Sequence, residues 1–181
     1  MPPQIQRSDS HPFIVPGVVF VILVSLAAST MSVRENLRFF DAKSQILSFV
    51  QTVRTFANEQ PAFAPVQGQD LWASMVASNR ILQSTPQRNP WNGQMRASAG
   101  PNSTIVIESA LPSQDCRRIG LFFLESAAEF GFIAMEAQSD RDDASWMTLY
   151  PSPAGGQDSL VNAACGETAF SRLALVFKLR G

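Results

Sequence analysis

Two cysteines, a single histidine and a short acidic run are the residues of this 181-residue chain whose types could do chemistry. Cys116 and Cys165 stand far apart, in no metal-ligating or redox spacing, and neither belongs to a CxxC pair. If the domain that carries them is exported, a disulfide is their natural pairing, and loop-closure entropy gives such a bridge about 4 kcal/mol. In a reducing compartment they are instead buried thiols. His11 precedes a long apolar run and so lies outside any folded domain. Asp140, Asp142 and Asp143 around Arg141 could offer oxygens to Ca²⁺, but an oxygen cage needs a loop that directs its ligands, and no DxDxDG pattern is present. That run reads as the solvated tip of a hairpin. Glu125, Glu129 and Glu136 are spaced for surface positions rather than as a paired acid and base. No nucleophile, base and orienting group can be assembled, and no glycine-rich phosphate loop is present. The reading is of a protein that is not an enzyme and holds no cofactor or metal.

The element that organises the rest is N-terminal. Residues 13–33 contain no charged side chain, and as a helix they cover roughly 30 Å, the thickness of a bilayer core. Pro16 and Gly17 sit in the first turn, where a missing N–H costs least, and Ser25, Ser29, Thr30 and Ser32 can return hydroxyls to carbonyls one turn back. Phe13, Val18, Ile22 and Leu26 are the residues through which this segment meets membrane or neighbouring helices. Beyond Arg34 the pattern becomes one-sided: Phe39, Ala42, Ile46, Phe49, Val53 and Phe56, widened by Phe40, Leu47, Val50 and Ala57, oppose Arg38, Asp41, Gln45, Ser48, Thr52 and Thr55. One long helix, ended by Pro61 and Pro65, is the economical reading. The chain therefore divides into a cytoplasmic segment at 1–12, a transmembrane and amphipathic stalk at 13–60, and an α+β head at 61–181. Arg7 precedes the apolar run while Arg34, Arg38, Lys43 and Arg54 follow it. This bias opposes export, and the pairable cysteines favour it. A cleaved signal peptide, with an apolar region at 13–24 and small residues at Ser25 and Ala27, is the other reading of the stretch.

Net charge is −1, so no basic surface calls for nucleic acid. Asp70 is placed to cap a helix over 71–82 with Leu71, Trp72, Met75, Val76, Ile81 and Leu82 on its apolar face. Residues 84–92 are turn chemistry closed by Gly93. Strands at 94–98 and 104–109 form a hairpin with a loop of four to five residues. Ser113 caps a helix to Phe130, stopped by Gly131. A second hairpin pairs 132–137 with 145–150, a short helix covers 159–164, and 170–179 is the last strand, with Phe170, Leu173, Leu175, Phe177 and Leu179 inward. The fold class is α+β, the long helix packed on an antiparallel sheet.

This order of parts, with Asn89-Pro90-Trp91-Asn92-Gly93 entering a hairpin, Leu111-Pro112 leading to Cys116, and Ala163-Ala164-Cys165 before the final strand, resembles the type IVb pilins, in particular the PilS-like pilins of conjugative thin pili. The resemblance covers most of the chain from the stalk onward. It implies a pilin-like fold, a Cys116–Cys165 disulfide that fixes the C-terminal region, and a structural turn at Asn89, Pro90, Trp91 and Gly93. It also implies a structural subunit of a bacterial pilus or secretion apparatus, inserted in the inner membrane, with a periplasmic or extracellular head and other pilin subunits as partners. The chain departs from the family at three points. Gly17-Val18 is the only Gly pair beside the apolar run, Ile22 stands where the fifth mature residue is usually Glu, and Asn92 replaces the second Gly of the turn. These departures point to a minor pilin or pseudopilin. The alternative is a single-pass, membrane-anchored periplasmic protein that binds a ligand or partner and joins no filament.

Overall fold

A computed structural model describes residues 14–139, 146–151, 157–166 and 170–180, with the side chains of 14–29, 128, 139, 157 and 158 outside the description. The chain divides into two compact units, Met1–Leu37 and Arg38–Gly181, and the division falls inside the first helix. That helix, α1, runs Ile14–Glu59 without interruption for 46 residues. Among the described residues no helix is long and apolar enough to cross a membrane. The span expected at 13–33 falls mostly on residues outside the side-chain description.

In the second unit, Ala42, Ile46, Phe49, Val50, Val53 and Ala57 of α1 are all buried, at spacings of three and four that keep them on one face. Phe39, Leu47 and Phe56 pack at its margins. Phe40, expected to widen the stripe, is 55% exposed instead. At 3.6 residues per turn it lies about 130° from the stripe's centre, too far round to reach the core. Carbonyl-seeking side chains tie the helix to the head: Arg54 Nε donates to Lys178 O at 2.9 Å, and Arg180 Nη2 donates to Ala57, Pro61 and Phe63 carbonyls at 3.3, 3.1 and 3.2 Å. Burial lowers the pKa of the Arg54 guanidinium from its ordinary value. Phe49 stacks on Trp72 with ring centroids 5.0 Å apart.

The sheet has five strands in the order β1-β2-β5-β3-β4, with β1 at Met95–Gly100, β2 at Thr104–Pro112, β3 at Phe132–Ser139, β4 at Met147–Tyr150 and β5 at Phe170–Lys178. Every pairing is antiparallel. The last strand of the chain is thus the central one, between β2 and β3. Ile105, Ile107 and Leu111 of β2, Met135 and Ala137 of β3, and Leu173, Leu175 and Phe177 of β5 alternate inward and are buried. They meet α1, α2 (Leu71–Ala77), α3 (Ser113–Glu125) and α5 (Gln157–Cys165) in one core cluster. At its centre Phe123 touches Phe177 and Phe132 at 5.5 and 5.9 Å between centroids.

Four local expectations are corrected. Helix α2 stops at Ala77 rather than 82, because Asn79 turns left-handed at φ 54°, and Leu82 is consequently exposed. The first hairpin loop has three residues, 101–103, since Gly100 already faces Thr104. The helix expected to run to Phe130 breaks at Ser126, and a short α4 at Ala127–Phe130 follows before Gly131 ends it at φ 61°. The break lets Phe130 pack on both Phe122 and Phe123. Phe170 has the opposite parity to Leu173, Leu175 and Phe177, so it faces outward and is exposed. The buried residue beside it is Ser171.

The helix stripe gives a direct test of which α1 residues hold the head. Ile46→Ala is expected to cost about 2–5 kcal/mol, and Phe40→Ala no more than about 0.5 kcal/mol, both read as shifts of the urea midpoint of the full chain.

Candidate functional site

Asn89 is the hub of the turn that launches β1. Its side chain is buried, and Oδ1 accepts from the backbone N–H of Trp91 at 3.0 Å and of Gly93 at 2.9 Å. The amide Nδ2 donates to Ser109 Oγ at 3.0 Å and to the Ala110 carbonyl. One side chain therefore closes its own turn and binds the facing strand β2. Pro90 supplies the fixed φ of a turn's second position, and the turn closes as Asn92 N–H donates to Asn89 O at 2.8 Å. Asn92 adopts φ 65°, the left-handed region that favours glycine and tolerates asparagine best among other residues. Asn at this position is therefore sterically acceptable. Arg88 Nη1 holds Asn92 through Oδ1 and O at 3.0 and 3.2 Å, while Gln45 of α1 donates to Arg88 O at 2.9 Å. Gly93 is required by space: a Cβ there would lie 2.0 Å from Ala110 O. Trp91 is half-buried against the core.

Cys116 in the first turn of α3 is joined to Cys165 at the end of α5, with Cα atoms 5.8 Å apart. Around the bridge, Arg117 Nη2 donates to Gly166 O at 2.7 Å and Ser171 Oγ to Cys165 O. Ser113, expected to cap α3, does not do so. Pro112 holds the cap position without a side-chain hydrogen bond, and the Ser113 hydroxyl lies 3.2 Å from that of Ser171. The start of α3, the end of α5 and the start of β5 are thus one clasp.

Of the assembly residues, Phe13 lies outside the described residues, while Val18, Ile22 and Leu26 fall on the helical backbone of α1 with side chains outside the description. Farther along the helix, Met31, Val33 and Leu37 are exposed apolar residues. In the head unit Lys43 Nζ sits 4.9 Å over Phe40 and 4.4 Å over Phe122, and Arg118 lies 4.5 Å over Phe39. Sequence patterning missed the contacts of Lys43 with Phe122 and of Arg118 with Phe39, and the arginine clamps of Arg54 and Arg180, since each joins residues far apart in the chain.

For chemistry the described residues offer little. Among them no group of three or more His, Cys, Asp or Glu gathers. Glu125 and Glu129 are exposed on separate helices, and Glu136 is on the sheet. Asp140, Arg141, Asp142 and Asp143 lie outside the described residues, as does His11.

No family model and no characterised protein matches the chain in sequence. Among solved structures it is similar to the crystal structure of a type IV b pilin from Salmonella typhi, over 75% of this chain and 97% of that one, at 14% identity and a TM-score of 0.41. At that score the likeness carries no functional weight.

Asn89→Ala removes an acceptor for two amides and a donor to β2, and is expected to cost about 2–4 kcal/mol. Asn89→Asp keeps the acceptor but turns a buried carboxylate oxygen toward the Ala110 carbonyl, and is expected to be no more stable than Asn89→Ala. Chemical denaturation reads both. Reducing the Cys116–Cys165 bridge is expected to remove about 4 kcal/mol, seen as a lower melting temperature in reductant.

Proposed function

We propose that the chain is a membrane-inserted, pilin-like structural subunit, of minor-pilin or pseudopilin type, in a bacterial type IVb pilus, conjugative pilus or related secretion apparatus. Its partners are other pilin subunits, met through α1, and its head lies on the periplasmic or extracellular side. The observation that carries this reading is the division of apolar residues along one unbroken helix. Ala42, Ile46, Phe49, Val50, Val53 and Ala57 are consumed by the head's own core, while Met31, Val33, Leu37 and Phe40 are exposed. A helix that keeps large apolar side chains on its surface, beside a charge-free run, needs a second apolar environment. A bilayer or the helices of neighbouring subunits supply one. The disulfide supports an exported head, because such bridges persist in oxidising compartments. The resemblance of the Asn89–Gly93 turn and the cysteine-bearing segments to type IVb pilins is consistent with the same role.

The mature N-terminus, determined by mass spectrometry of the protein from its native membrane, tests this reading. A start at Val18 is the expected result of prepilin-type cleavage, and a start at Met1 or Pro2 would mean a permanent anchor, as in the single-pass alternative. A start near Ala28 would mean that the apolar run is removed as a signal peptide, and the reading would fall.

A further inference from the structure

The outer face of the sheet carries a groove of about 630 Å³ that the assembly reading does not use. Its floor is Val106 of β2, Val176 and Ala174 of β5 and Ala134 of β3. The strand register puts Val106, Val176 and Ala134 side by side in one row, with Ala174 in the next row between Glu108 and Glu136. Four small apolar side chains at outward positions of three adjacent strands leave a depression where longer side chains would normally cover the pleat. Ala174 is nearly sealed at its bottom.

The ends of the groove differ in charge. Lys178 rises at one end, four residues along β5 from Ala174, a Cα separation of about 13 Å in an extended strand. Glu136, opposite Ala174, stands at the other end. Among the described residues the ion pairs are Arg80–Glu59 and Arg118–Asp115, so neither Lys178 nor Glu136 is engaged in one. Glu108, on the other side of Ala174, does not line the groove, which leaves Glu136 as its negative pole. Arg180 beside the opposite pole is committed to main-chain carbonyls of α1 and the segment after it.

The geometry points to this groove as the docking site for an extended segment of a partner protein that carries a basic and an acidic side chain four positions apart, with an apolar side chain midway. Side chains at positions i, i+2 and i+4 of a strand share one face and cover about 13 Å, matching the separation of the poles. The groove spans two strand spacings, about 9.6 Å, so it admits a strand, whereas a helix about 10–12 Å across would sit over it. A nucleic acid or an anionic lipid would meet the Glu136 carboxylate unfavourably.

The test uses the full chain in detergent and a capped, fluorescein-labelled peptide, Lys-Ser-Val-Ser-Glu, with its permuted isomer Ser-Lys-Glu-Val-Ser, read by fluorescence anisotropy. Saturable binding of the first peptide and weaker binding of the second are expected. Lys178→Glu and Glu136→Lys should each weaken it about fivefold, and the double variant should restore it by receiving the peptide in the reverse direction. The proposal is overturned by equal binding of the two isomers, by single reversals without effect, or by a folded double variant that fails to recover.

Discussion

The structure depends on a single apolar stripe being satisfied by the head. Ala42, Ile46, Phe49, Val53 and Ala57 lie on one side of α1, and their burial supplies a wall of the core that the sheet and shorter helices close. In folded proteins tertiary burial of one face, more than propensity, is what stabilises a helix. Polar contacts then set its position. Arg54 and Arg180 reach main-chain carbonyls from opposite directions, one from the helix to β5 and one from beyond β5 back to the helix end. The stabilisation is mostly apolar and the registration mostly hydrogen-bonded.

The same division of labour recurs across the head. The inner face of the sheet is aliphatic and aromatic, while its strand entries are held by buried polar hubs. Asn89 fixes where β1 begins relative to β2, and the Cys116–Cys165 bridge with Ser113 and Ser171 fixes where β5 begins relative to α3 and α5. Because β5 is the central strand, its register affects both halves of the sheet. A bridge next to its first residues constrains the element on which the most pairings depend.

Much of this was legible in the sequence. The stripe on α1, the strands, the paired hairpins and the glycine stop at Gly131 follow from periodicity and turn chemistry, and these physical signals are local. What escaped was non-local. Phe40 and Phe170 are exceptions, since helical angle and strand parity alone turn them away from the core, and both are exposed. The early end of α2 rests on Asn79 adopting a left-handed conformation, which asparagine permits without advertising. The Asn89 motif was visible as a turn, but its grip on Ser109 and Ala110 joins residues about twenty positions apart in sequence. The groove over Ala174 needs three strands in register before its small residues become neighbours.

In the proposed role α1 would serve two apolar environments, its own head and one supplied by the bilayer or by neighbouring subunits. Cross-linking through a cysteine placed at Leu37, an exposed position beyond the head's core, addresses that claim most directly, because Cys116 and Cys165 are already paired. In membranes treated with a short bismaleimide, Leu37→Cys is expected to give a dimer-sized product, the largest that one free thiol per chain allows, and a cysteine at buried Val53 to give none. A Leu37→Cys protein that stays monomeric in its native membrane would contradict helix-mediated association.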